Sequence, residues 1–240
     1  MVVVMRRPLA DPVDEALALL AEAEARGVIL RALGGVAVRL LSPSARRPPL
    51  QRTVKDIDLA GRGEDREAIA SLLSDLGYTP DAEFNLYQGA TRLLFVDTVN
   101  GRQLDVFLDR LVMCHTLALR DRLDEASRTL APVDLLLSKL QVVQLNERDL
   151  QDAVALLADC EIDAARFAAV LGGDWGWWRT CTENLERVAD YAERMAVPAV
   201  GERVTQLGRA VDEAPKNLRW RARARIGDRT PWYRLPEEHA

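Results

Sequence analysis

Three aspartates carry the chemistry that can be read from the residues. Asp56 and Asp58 stand one residue apart in Val54-Lys55-Asp56-Ile57-Asp58-Leu59, a run that alternates as a β-strand. Alternation puts residues i and i+2 on one face, so both carboxylates are expected to point the same way and to grip one ion together. Asp105, in Leu104-Asp105-Val106-Phe107, lies on a second strand-like run. If the two strands are neighbours, three sets of hard oxygen donors converge on one patch, and such donors suit magnesium, which keeps several waters and bridges to phosphates. Two ions roughly 3.5 to 4 Å apart would activate an attacking hydroxyl and steady a leaving phosphate in an in-line displacement. An Asp-x-Asp pair alone is more often a solvated strand face, and it gains weight from what precedes it. Gly34-Gly35 sits where a strand turns into a helix, a place where the backbone approaches a ligand closely and unpaired N–H groups face an anion such as a triphosphate.

These residues need a mixed framework to position them. Asp11-Pro12 reads as an N-cap followed by proline at the first helical position, opening a helix over 12–26 that Gly27 ends. Val28 to Leu33 reads as a short strand, Val36 to Leu41 as a short helix, Ser42 to Arg52 as a Pro/Arg-rich loop, and Val54 to Ala60 as a strand. A helix over about 64–76 follows. Thr91–Thr98 and Arg102–Asp109 read as strands joined through Asn100-Gly101, a strong hairpin signal. From Pro132 the periodicity turns helical, with helices expected near 132–145, 147–158, 163–171, 177–195 and 200–213. The expected fold class is therefore α/β (α+β): a mixed sheet with flanking helices over residues 1–131, then a helical bundle with a basic end over 132–240, the active cleft lying between them.

Composition bounds the rest. The chain has 240 residues, 48% apolar and 29% charged, which excludes disordered and low-complexity classes. The apolar stretch from Val28 to Leu41 is cut by Arg31 and Arg39, far short of the roughly 18 clean residues of a membrane span. No leader is evident at the first residues, and a cytoplasmic location is expected. Cys114, Cys160 and Cys181 are an odd number at wide spacing and read as buried thiols rather than as disulfides or a zinc site. Six basic residues face one acid between Lys216 and Arg229, so that out of a net charge of −5 the remainder of the chain carries −10. Arg219, Arg221, Arg223 and Arg225 alternate as on a strand or extended arm that could contact the phosphates of a nucleic acid. His115 beside Cys114 is a poor metal pair and reads as a packed histidine, and Trp175, Trp177 and Trp178 read as core rather than as a base-stacking platform.

The order Gly34-Gly35, Arg52, Lys55-Asp56-Ile57-Asp58-Leu59 and then Asp105 within Leu-Asp-Val-Phe-Leu-Asp resembles the core of the DNA polymerase beta-like nucleotidyltransferase superfamily, over roughly residues 12–160. Further on, Asp134 to Leu140 with Lys139, followed by Asn146-Glu147-Arg148-Asp149-Leu150-Gln151-Asp152, is similar to the downstream Lys…Arg-Asp-x-x-Asp element of the AbiEii-like group of abortive-infection toxins. The resemblance departs from the family at Thr53, one place before the usual threonine, and at the second glycine, where many members carry serine.

The resemblance implies transfer of a nucleoside monophosphate from a nucleoside triphosphate to an acceptor hydroxyl, with two magnesium ions on Asp56, Asp58 and Asp105 and pyrophosphate released. Asp105 would also accept the acceptor's proton. Gly34, Gly35, Arg52, Lys139, Asp149 and Asp152 would hold the nucleotide. The toxin-like element and the basic end imply an RNA acceptor, tRNA in particular, and a possible antitoxin protein as partner, with no membrane involved. Two alternatives stand beside this one: an antibiotic- or metabolite-modifying nucleotidyltransferase of the aminoglycoside adenylyltransferase kind, and a non-catalytic nucleotide-binding module.

Overall fold

The computed structural model describes residues 7–235. They divide into two compact units. One takes the residues up to Leu40 with Thr53–Leu111 and Ala118–Ala131; the other takes Leu41–Arg52, Val112–Leu117 and the residues from Pro132 onward.

The first unit is a mixed sheet with helices. Helix α1 (Pro12–Ala25) starts where the Asp11 carboxylate accepts hydrogen bonds from the N–H groups of Val13 and Asp14, and it buries Ala16, Leu19, Leu20 and Ala23. Strand β1 (Leu30–Leu33) leads without a linker into α2 (Gly34–Leu41), and β2 (Ile57–Gly61) follows the loop. After α3 (Arg66–Asp75) come β3 (Thr79–Pro80) and α4 (Ala82–Gln88), two short elements that hydrophobic periodicity does not signal. The hairpin of β4 (Arg92–Asp97) and β5 (Arg102–Leu108) turns through Gly101 at φ +64. Strands β6 (Arg110–Val112) and β7 (Thr116–Ala118) form a small ribbon of their own, of which Val112–Leu117 belong to the second unit.

The five-stranded sheet has the order β1-β2-β5-β4-β3. Strand β2 pairs antiparallel with β1 and parallel with β5, and β4 is antiparallel to both β5 and β3. One face is core: Ile57, Leu59, Leu93, Phe95, Leu104 and Val106 are almost fully buried there. Helix α3 covers this face, since a Cβ on Gly61 would meet Ile69 at 2.8 Å. The opposite face carries Asp58, Asp105, Arg92 and Phe107, and it is the face on which chemistry can be built.

The second unit is helical, with α5 (Pro132–Leu140), α6 (Glu147–Asp159), α7 (Ala164–Gly173), α8 (Trp175–Arg194), α9 (Ala199–Glu213) and α10 (Leu218–Ile226). Its interior is built from Leu136, Leu137, Leu156, Phe167, Leu171, Val188 and Val200. Helix α5 stops at Leu140, five residues before the expected end, because the Asn184 amide donates to the carbonyls of Leu140 and Val142 and closes the helix there. The larger correction is α10. Residues 219–225 form a helix, capped by the Asn217 side chain on the N–H of Trp220, and not the strand or extended arm that alternating arginines suggest. Among the described residues, no helix is long and apolar enough to cross a membrane.

Candidate active site

The site on the open face of the sheet is set by register. Asp58 and Asp105 are direct partners across the parallel β2–β5 pair, so their side chains leave the same face from adjacent strands. Asp56 precedes β2 in a bend, so strand alternation does not fix its direction as expected. It is exposed, and it lies close enough for its charge to act on Asp105.

Asp58 rests against the strand-to-helix turn. Gly34 adopts φ +64, and a Cβ built on it would stand 2.0 Å from Asp58 Oδ2. Glycine is required twice over, for the left-handed backbone and for the close approach of the carboxylate. The glycine pair and the Asp-x-Asp pair, separated by more than twenty residues in the chain, therefore meet in space at Gly34 and Asp58. Gly35 lies in the first turn of α2.

Asp105 is 5% exposed. Its Oδ1 accepts a 2.7 Å hydrogen bond from Arg92 Nε, and the Arg92 guanidinium lies between the rings of Phe84 and Phe107, 5.3 and 5.1 Å from their centroids. Burial raises the Asp105 carboxyl above its ordinary range, Arg92 opposes that shift, and the nearby Asp56 charge adds to it. Arg92 is the residue that sequence reasoning missed. Its position two residues along β4 from Leu94, the cross-strand partner of Asp105, depends on hairpin register, and an arginine flanked by Thr91 and Leu93 carries no motif that announces it.

The donor chemistry fits a magnesium ion that takes one or two protein carboxylates and completes its shell with water and phosphate oxygens. It does not amount to a ready cage: among the described residues, no three His, Cys, Asp or Glu side chains gather in an arrangement that could hold a metal. Asp58 and Asp105 are the two the framework sets side by side.

The remaining residues expected at the nucleotide belong to the second unit and form a cluster there. Arg52 Nε and one terminal nitrogen donate to the two oxygens of Asp152 at 2.8 and 2.7 Å. Lys139 Nζ stands 2.8 Å from Asp152 Oδ2 and 3.3 Å from Asp149 Oδ1. Burial pushes the Asp152 carboxyl up, yet Arg52 and Lys139 together hold it below the usual carboxylate range. Burial likewise pushes the Lys139 ammonium down, and Asp152 and Asp149 more than offset it. The negative charge facing Lys139 is thus supplied by α6, ten and thirteen residues further along.

The other singled-out residues have structural surroundings. His115 Nε2 lies 2.9 Å from Thr180 Oγ1 and its ring packs on Trp177, with burial lowering its pKa to about 4. Trp175 and Trp177 are buried, and the three cysteines are buried free thiols. On α10 the four arginines do not share a face: successive i+2 steps turn about 200° around a helix. Arg223 is engaged internally, stacked 4.7 Å from the Trp175 ring and donating to the carbonyls of Gly227, Thr230 and Pro231, while Arg219, Arg221 and Arg225 are exposed.

No family model and no curated protein matches the chain. Among solved structures it is similar to a lincosamide antibiotic adenylyltransferase, LnuA, bound to lincomycin, at 18% identity and a TM-score of 0.45, over 60% of this chain and 94% of that one. It is also similar to the antibiotic-resistance factor ANT(2'')-Ia in solution, at 16% identity and a TM-score of 0.41, over 60% of this chain and 81% of that one. The crystal structure of ANT(2'')-Ia with adenylyl-2''-tobramycin gives 16% and 0.41, over 60% and 86%.

Proposed function

We infer that the open face of the sheet is a nucleotidyl-transfer site, at which an acceptor hydroxyl attacks the α-phosphorus of a nucleoside triphosphate and pyrophosphate leaves. The observation that carries this reading is the side-by-side register of Asp58 and Asp105, with Asp58 seated on the Gly34 turn. Magnesium held by Asp58 and Asp105, with Asp56 beside them, would neutralise charge on the phosphates and orient the displaced group. The chain's own contributions follow from its geometry. The first turn of α2, with Gly34 and Gly35, offers unpaired backbone N–H groups to a phosphate. Arg92 binds Asp105 through Oδ1 and so fixes the direction of Oδ2, the oxygen left to take the hydroxyl proton as the oxygen–phosphorus bond forms.

The acceptor we assign is a hydroxyl on a small molecule. The toxin-like element and an extended arginine arm were the two features that favoured RNA; the arginines instead point several ways around α10, and Arg223 is committed to its own unit. Arg52, Lys139, Asp149 and Asp152 answer one another's charges, and we assign them to holding α5, α6 and the Arg52 segment together rather than to the nucleotide.

Incubation with each α-labelled triphosphate and magnesium, with total RNA in one arm and a panel of hydroxylated small molecules in the other, lincomycin and tobramycin among them, tests both parts. Label is expected in a small molecule, and Asp58→Ala should lower transfer by on the order of 10²-fold or more with the fold intact. Label in RNA returns the acceptor to nucleic acid; full activity of Asp58→Ala ends the reading altogether.

A further inference from the structure

The second unit contains a cavity of about 710 Å³ that the reaction above does not use. Its size falls in the roughly 300–1,000 Å³ range of small-ligand pockets. Trp175, Trp220, Trp232 and Tyr233 contribute to its walls, and Arg219 and Arg234 contribute the charge at its exposed rim.

The walls are held from behind. Trp175 and Trp232 meet edge to face at 6.0 Å, and Trp232 and Tyr233 at 5.3 Å. Trp220 meets Trp178 at 5.4 Å and donates its indole N–H to the carbonyl of Leu171; Trp232 donates its own to Thr180 Oγ1. The indole N–H groups of Trp220 and Trp232 are thus satisfied within the protein; Trp220, Trp232 and Tyr233 are half-buried and keep ring surface for the cavity, while buried Trp175, covered by the Arg223 guanidinium, backs the wall. The residues after α10 are fastened by Arg223, through three backbone carbonyls, and by the Arg234 N–H, which donates to the Cys114 carbonyl.

The charge is unbalanced in one direction. Arg219, Arg223 and Arg234 line the cavity against one carboxylate, Asp174, whose Oδ1 already accepts the N–H groups of Gly176 and Trp177 at the start of α8. Arg219 and Arg234 have no acidic partner among the described residues. Half-buried aromatic rings beside two guanidinium groups that have no acidic partner among the described residues match one kind of ligand. Aromatic faces stack on a ring, and guanidinium forks bind phosphate or carboxylate oxygens.

We propose that this cavity is a ligand site for a small molecule that joins a flat aromatic ring to an anionic group, a nucleoside monophosphate or an aromatic carboxylate. It is independent of the transfer reaction and stands if that reading falls. The tryptophans that form the site also report on it.

The full chain, without divalent cation, is titrated with adenosine monophosphate and, separately, with indole-3-carboxylate, and tryptophan fluorescence or calorimetry is followed. Saturable binding of at least one is expected, and which one binds separates a phosphate source from a carboxylate source. Arg219→Glu combined with Arg234→Glu changes only exposed side chains, so thermal unfolding should be retained while affinity falls at least tenfold. Adenosine, which lacks the anion, should bind at least tenfold more weakly than its monophosphate. Asp58→Asn should bind as the unaltered chain does. The proposal is overturned if neither compound saturates, if the double variant binds unchanged, if Asp58→Asn abolishes the signal, or if RNA binds and the small molecules do not.

Discussion

Asp105 on the sheet and Asp152 in the helical unit are both nearly buried, at 5% and 3% exposure, and each accepts a hydrogen bond from an arginine. Their acidities nevertheless move in opposite directions. Asp152 faces two cations, Arg52 through both oxygens and Lys139 through one, and its carboxyl is held below the ordinary range. Asp105 faces one cation, Arg92, and the charge of Asp56, and its carboxyl lies above that range. Desolvation acts on both, so the balance of neighbouring charge decides the direction. A buried carboxylate whose neighbours supply enough positive charge cements helices; one whose neighbours leave negative charge over has use for a further cation. That difference is why we place chemistry on the sheet and architecture in the helices.

The contrast breaks most severely at Gly34. Alanine there would need a left-handed backbone, costing roughly 1–2 kcal/mol, and would drive its Cβ into Asp58 Oδ2. Gly34→Ala is therefore expected to displace Asp58 and lower transfer by on the order of 10²-fold, the scale of losing a charged group from the site, with a measurable fall in thermal midpoint. If kcat and midpoint both stay at the level of the unaltered chain, the turn does not position the carboxylate.

The helical side of the comparison is sharpened by Lys139→Met. This keeps the apolar stem and removes the ammonium, leaving Asp152 with Arg52 alone and Asp149 without its cation. Breaking a buried pair costs roughly 3–5 kcal/mol; with Lys139 14% exposed at its side chain, a loss on the order of 2 kcal/mol is expected by urea unfolding. Arg26→Met, which removes an ion pair 39% and 53% exposed, should change stability by less than about 0.5 kcal/mol. A Lys139 variant of unaltered stability and weakened triphosphate binding would move the cluster from architecture to ligand.

Asp58 and Asp105 were legible as strand positions because local rules govern them, whereas Asp56 falls in the bend before β2, where alternation does not apply. Alternation and the Asn100-Gly101 turn located β5 around Asp105, and Gly34-Gly35 marked the strand-to-helix turn. Arg92 and the Arg52–Asp152 pair were not legible, since hairpin register and a separation of 100 residues create them. The Lys…Asp-x-x-Asp spacing was visible as a pattern, but whether its charges face a ligand or one another depends on how α5 packs on α6. The arginines of α10 misled through period: four at i, i+2, i+4 and i+6 fit a strand, yet the intervening Trp220, Ala222 and Ala224 and the Asn217 cap suit a helix equally well.

The smallest expected effect lies in the acid limb of stability. The folded-state carboxyl of Asp152 is below its unfolded value, so its stabilisation is fully present above the ordinary carboxylate pKa near 3.8 and is lost as pH falls through the folded value. Asp105 works in the opposite sense: its raised folded value favours the protonated fold, so its contribution is greatest below the unfolded pKa and declines as pH rises through the folded one. Urea midpoints followed downward from pH 6 should therefore fall less steeply in Asp152→Asn than in the unaltered chain, and more steeply in Asp105→Asn. Parallel limbs for the two variants would mean that the charges around the two aspartates are alike, and the distinction between a cemented and an open carboxylate would go with them.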